Sequence, residues 1–308
     1  MKNDLNSNPD FNNFDTLKID LRKQTKERRW DDTFLRSAYK LDNYHKVLNC
    51  SIADTDFATP TYISDEIIKR AQKNSYSYTF TFDESIDAIT NWYQKLHNIS
   101  LQAEWIKLGF GTVNAMHQAV IAMTKQKDAI LLQSPLYKPL EKSILANNRK
   151  LIENKLIFDN KTFKIDFDDF EKQIKTHNIK IFMLCNPHNP GGVQWSDQEL
   201  KKMIKICEDN NVFIFADEVH GDLFLKNKQH LSLLRFKVKN DFYMVASSPN
   251  KLFNLAGLQG SFVITKNKHV YQKLVEAYTK SGLGLPNVFS QQAMITAYTK
   301  PEVFQWVQ

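Results

Sequence analysis

KIFMLCNPHNPGG, residues 180–192, runs from an unbroken apolar stretch directly into two Asn-Pro pairs. A strand that is apolar at every position has both faces covered, as in a mostly parallel sheet held between helices. The residue before a proline avoids the helical region, so 186–192 must leave that strand as an extended loop or turn. As a loop it explains itself. As a site it presents Asn186, His188 and Asn189 at a strand terminus.

Four further stretches repeat the strand pattern: AILLQ (129–133), VFIFA (212–216), FYMVA (242–246) and SFVIT (261–265). Helical spacing separates or precedes them at Ile63, Ile67 and Ala71, at Ile86, Ile89, Tyr93 and Leu96, and at Val113, Met116, Val120 and Met123. A further helix carries Leu200, Met203, Ile204 and Cys207, and Ser196 followed by Glu199 predicts a capping box at its start. The alternation predicts an α/β fold with a mostly parallel sheet, in which ligands gather at the carboxyl ends of the strands.

Length and composition narrow the class. The chain has 308 residues, 42% of them hydrophobic, which suits one large domain or two of ordinary size. Its 41 Lys and Arg against 34 Asp and Glu give a formal charge of +7. The basic residues are interleaved with acids, without an arginine-rich run or zinc-finger spacing, so the charge reads as a solvated surface and not as a nucleic-acid interface. Cys50, Cys185 and Cys207 are odd in number and far apart, which argues against a disulfide framework and for a reducing compartment. Met1–Asn13 is polar, reads as a mobile arm and lacks the apolar segment of a secretory signal. No apolar stretch has bilayer length, so a cytoplasmic protein is expected, with no membrane partner.

The strand ends carry chemistry. VFIFA runs into Asp217-Glu218, which a nucleotide hydrolase would use for magnesium, but the phosphate loop that this requires is missing and no metal site is expected. LGFGTVNAM places Gly109 and Gly111 just before a helix, where a glycine turn exposes backbone N–H groups to an anion such as phosphate. It falls short of the dinucleotide fingerprint, and the acidic residue expected after the next strand is replaced by Gln133-Ser134. SPLYKP offers Tyr137 as a flat surface. Lys251 follows FYMVA by a few residues; the ordinary reading is a packed stem with its amine in water. A phosphate cup, a flat aromatic, an Asn, an Asp and a Lys, each at a separate strand end, suit a planar, phosphorylated aldehyde: pyridoxal 5′-phosphate.

At this point the chain resembles the class I/II aminotransferase superfamily of pyridoxal-phosphate enzymes, fold type I, and within it the cystathionine β-lyase branch. The resemblance is carried by RRWD (28–31), IADTDFATP (52–60), SYSYT (75–79), NPHNPGG (186–192), ADEVHGDL (216–223) and SPNKLFNLAGL (248–258). It implies a mostly parallel seven-stranded sheet covered by helices. It also implies an N-terminal arm and part of a small domain over 1–55, a large cofactor-binding domain over 56–285, and the start of a C-terminal small domain over 286–308. Lys251 matches the lysine that bonds the cofactor aldehyde and then moves protons. Asp217 matches the carboxylate facing the pyridine nitrogen, and Asn189 the partner of the cofactor's 3′-oxygen. Tyr137 matches the stacking ring, while Gly111, Thr112, Val113 and Ser248 match the phosphate cup. His220 stands where the wider superfamily usually has tyrosine. Tyr78 matches a tyrosine that reaches the phosphate of a second subunit, which implies a homodimer.

The departures are equally specific. Asn250 replaces a usual serine and is retained as a cofactor contact. Val193 stands for a frequent arginine, Ser51 for a common tryptophan and Ser77 for a glycine. The chain stops at Gln308, before the segment that supplies the arginine for the substrate α-carboxylate, so an incomplete small domain and weak turnover are expected. The resemblance implies a carbon–sulfur β-lyase acting on L-cystathionine or related cysteine S-conjugates and releasing thiol, pyruvate and ammonia. The alternatives are an aminotransferase and, in another class, a non-catalytic cofactor-binding dimer.

Overall fold

Residues 19–40, 49–223 and 229–302 are described by the computed structural model, and the arm expected over Met1–Asn13 lies outside them. Among these residues the helices α1 (Ile19–Gln24), α2 (Asp32–Tyr39), α3 (Thr61–Gln72) and α4 (Asp83–Trp92) precede the sheet. Asp31 caps α2 by accepting from the Phe34 backbone N–H. A π-helical turn, Tyr93–His97, continues α4 and closes at Asn98 in the left-handed region.

The chain then alternates. β1 (Ile106–Phe110) leads to α5 (Thr112–Met123), β2 (Ala129–Ser134), α6 (Lys138–Leu145) and β3 (Lys150–Lys155). A short hairpin, β4 (Ile157–Phe158) and β5 (Phe163–Lys164), precedes α7 (Phe167–His177) and β6 (Ile181–Cys185). Next come α8 (Asp197–Asp209), β7 (Phe213–Asp217), β8 (Tyr243–Ser247), β9 (Gly260–Ile264), α9 (Lys268–Lys280) and α10 (Val288–Thr299). The expected capping box is formed: Ser196 accepts from the Glu199 backbone and Glu199 accepts from that of Ser196.

Seven strands form one sheet in the order β1-β9-β8-β7-β6-β2-β3. β2, β3, β6, β7 and β8 are mutually parallel, while β9 runs antiparallel to both neighbours. Two reversals cancel, so β1 points the same way as the parallel strands. The carboxyl ends of β1, β2, β6, β7 and β8 therefore share one edge.

The apolar runs work as the pattern requires. Ile214, Ala216, Val245 and Phe262 face one apolar cluster, with α4, α8 and α10 against it. Phe213, Phe215, Met244 and Val263 face the other, packed against α5, α6 and α9. Both faces are dry. β1 and β3 carry no such run: Lys107 and Gly109 interrupt the first, and the second is a half-exposed edge whose Lys150, Glu153 and Lys155 discourage further pairing. The amphipathic helices α6, α7 and α9, the apolar α10 and the β4–β5 hairpin likewise emerge only from the structure. Among the described residues no helix is long and apolar enough to cross a membrane.

Candidate active site

At the shared strand edge lies a cavity of about 580 Å³, within the range of small-ligand pockets. Gly111, Thr112 and Val113 line one side of it, Tyr137 another, and Asn250 and Lys251 a third. Gly111 caps α5 with φ 82°, a conformation that side-chain-bearing residues rarely adopt, and so turns the strand abruptly into the helix. The first N–H groups of a helix have no intrahelical acceptor. Here they open onto the cavity.

Lys251 has the ordinary arrangement of a packed stem and an amine that reaches solvent. It is half-buried, and its Nζ donates to Ala53 O at 3.1 Å, a carbonyl from the segment before α3. The turn that delivers it after β8 is stiff. Ser248 Oγ accepts from Asn250 N at 2.9 Å, Phe253 N donates to Pro249 O at 3.1 Å, and Leu255 N to Asn250 O at 3.0 Å.

Asp217 ends β7, in register with Cys185 on β6 and Ala246 on β8. It is only 3% exposed, and its Oδ1 accepts from Val219 N at 3.2 Å. Burial pushes its pKa up to about 7; the Glu218 charge adds to the rise and Lys251 opposes it. His220 is held down at about 4, first by burial and then by the Lys251 charge, so the ring is neutral at physiological pH. Burial followed by the Asp217 charge raises Tyr137. These mutual fields put Asp217, His220, Tyr137 and Lys251 in one neighbourhood.

Asn189, Asp217, His220 and Ser248 are not part of the cavity lining, although Val219 is. Asn189 is tied to the Asp217 neighbourhood through Cys185: its backbone N–H donates to Cys185 Sγ at 3.3 Å, and burial followed by the Asp217 charge raises that thiol's pKa. Tyr78 is 99% exposed, beside the exposed Tyr76 and Phe80, and this chain does not bring it to the cavity. Three polar lining residues were not foreseen, Asn114, His117 and Gln259, nor were the apolar Phe110, Val219 and Ala256. Gly111, Asn114 and His117 recur every third residue into α5, a polar spacing within an apolar helix that carried the signal. Gln259, in the left-handed region with φ 58°, places its Oε1 opposite Gly111, and nothing in the sequence set it apart.

A doubly covered sheet with these groups at its carboxyl edge is the fold type I architecture of the pyridoxal-phosphate-dependent superfamily. The family model for aminotransferase class I and II matches residues 45–305, and the chain belongs to that family, near its cystathionine and C–S lyase branch. It is 32% identical over 291 residues to cystathionine beta-lyase PatB of Bacillus subtilis strain 168, covering 94% of this chain and 73% of that protein. Cystalysin from Treponema denticola, whose crystal structure contains a pyridoxal 5′-phosphate cofactor, superposes with a TM-score of 0.86 at 27% identity, over 96% of this chain and 74% of that one. The PLP-bound C–S lyase from Staphylococcus hominis, complexed with L-cycloserine, gives 0.83 at 28% identity, over 96% and 72%.

Proposed function

We propose that the chain is a pyridoxal-phosphate-dependent carbon–sulfur β-lyase acting on L-cystathionine or related cysteine S-conjugates. The observation that carries this reading is that Lys251 and Tyr137 line a pocket with the α5 amino end, while Asp217 and His220 lie close enough to feel the Lys251 charge.

The residues fit the cofactor. Asp217 is a dehydrated acid with a single N–H donor, which a protonated pyridine nitrogen would pair and keep ionised. The Gly111–Val113 amides suit a phosphate, with Ser248 beside the Lys251 turn. Tyr137 offers its ring face, and Asn189, Asn250 and His220 offer hydrogen bonds to the ring substituents. When bound, the cofactor supplies an electron-accepting ring that takes up the pair left by the departing α-proton.

The remaining steps belong to the chain. Lys251 would hold the cofactor through its amine and, as a free amine, would take the proton from the substrate α-carbon. His220, held neutral first by burial and then by the Lys251 charge, adds no second positive charge beside that amine. The thiolate then leaves the β-carbon, and hydrolysis of the remaining three-carbon fragment yields pyruvate and ammonia.

The same reading makes 56–285 the cofactor-binding body, with 1–55 and 286–308 belonging to a small domain. Tyr78, exposed in one chain, serves the phosphate of a second copy in a homodimer. Transamination is the second reading, favoured by the family match, and shares the α-proton step. Pyruvate release from L-cystathionine without an added keto acid tests the proposal; strict dependence on a keto acid would favour transamination.

A further inference from the structure

Four buried ionisable groups lie behind the site and have no part in the chemistry above: Glu218, Asp222, His97 and His230, none more than 8% exposed. Asp222 Oδ1 lies 2.8 Å from His97 Nε2, and its Oδ2 accepts from Trp92 Nε1 at 3.1 Å. Glu218 Oε2 lies 3.1 Å from His230 Nε2, and its Oε1 accepts from Leu233 N at 2.7 Å. A carboxylate only accepts, so each histidine donates from Nε2. The two imidazoles cross edge to face with centroids 5.9 Å apart. The His230 ring rests on Gly221, where a Cβ would come within 2.8 Å of it.

The turn 217–222 is thus clamped at both ends. Buried carboxylates cost several kcal/mol to dehydrate, and apolar residues would hold a fold as well. What apolar packing lacks is directional register. Trp92 extends that register to the other loop. It is 1% exposed, stacks on Tyr298 of α10 at 4.6 Å, and packs edgewise on Phe253 at 6.0 Å. Phe253 stands two residues past Lys251 in the stiff turn that carries it. A continuous path therefore joins the His220 turn to the Lys251 turn: Asp222, Trp92, Phe253.

We infer that Asp222 is a positioning residue that, through the Trp92 indole, registers the turn bearing Asp217 and His220 against the turn bearing Lys251. The inference rests on the reading of Lys251 as the cofactor-bearing lysine. Two loops that grip opposite parts of one planar cofactor must hold their spacing to well under an ångström, and side chains locked by packing and hydrogen bonds achieve this.

The test uses full-length Trp92→Phe, which keeps an aromatic ring in the packing but removes the N–H donor and part of the indole, together with Asp222→Ala, which removes the acceptor, and the double variant. The readouts are the Kd for pyridoxal phosphate, the visible circular dichroism of the bound cofactor, and the borohydride-fixed fraction on Lys251. Each single variant is expected to fold, to raise Kd about tenfold and to change the visible dichroism. The double variant is expected to be no worse than the poorer single, because both cut one link. Wild-type affinity and dichroism in Trp92→Phe, with only the melting temperature lowered, would overturn the inference while leaving the Lys251 reading intact. Label on another lysine in the wild-type protein would overturn both.

Discussion

Replacing Asp217 by asparagine should stabilise the cofactor-free protein, and by an amount that grows with pH. The carboxyl's ordinary value of 3.8 is raised to about 7 by burial. Between those values the folded protein keeps a proton that the unfolded chain has lost, so the group subtracts more stability as pH rises, levelling off above about 7. At about 1.4 kcal/mol per unit, the penalty is roughly 1.5 kcal/mol at pH 5 and roughly 4 kcal/mol at pH 8. Asparagine keeps the oxygen that accepts from Val219 and never ionises, although its buried amide forfeits roughly 1 kcal/mol. The difference between variant and wild type should therefore widen by about 2.5 kcal/mol from pH 5 to pH 8. Taking differences removes His188 and His220, whose depressed values act equally on both proteins. Urea denaturation at the two pH values, after cofactor removal and with m-values checked, measures the change. Saturating pyridoxal phosphate should reverse the order, because only the wild type gains an ion pair. A flat difference, or a variant less stable than wild type at pH 8, would refute the picture of Asp217 as an uncompensated buried acid.

Three further substitutions probe separate parts of the site and scaffold. Lys251→Arg keeps the charge near Ala53 O but cannot form the covalent link; the folded protein should lose borohydride labelling and pyruvate release, and retained labelling would displace Lys251 from its role. Gly111→Ala forces a side chain onto a backbone with φ 82°, at a cost of about 1–2 kcal/mol, and should weaken phosphate and cofactor binding, read by competition between inorganic phosphate and pyridoxal phosphate. Ser196→Ala removes half of the capping box on α8, which does not line the cavity, and should lower stability by about 1 kcal/mol in urea without moving cofactor affinity.

The α/β class and the parallel run of the sheet were readable because β2, β6, β7 and β8 are apolar at nearly every position, which only a doubly covered strand tolerates. The capping box was readable because it is local. Lys251 and Asp217 were legible as strand-end residues whose types suit one cofactor, through a resemblance whose motifs keep their order along the chain. β1 was hidden by Lys107 and Gly109, and Gln259 by the lack of any local pattern.

What the sequence determined alone is what depends on near neighbours: strand character, helix starts, and the residue types at each strand end. What only the tertiary structure decided is which way side chains turn and what they meet. Lys251 points at Ala53, 198 positions away, and Asp222 meets Trp92 and His97 across 130 and 125 positions. Such contacts follow from the two antiparallel reversals around β9 and from the layers that close over the sheet. The rise in the Asp217 pKa has the same origin, since it comes from the removal of water by the assembled core.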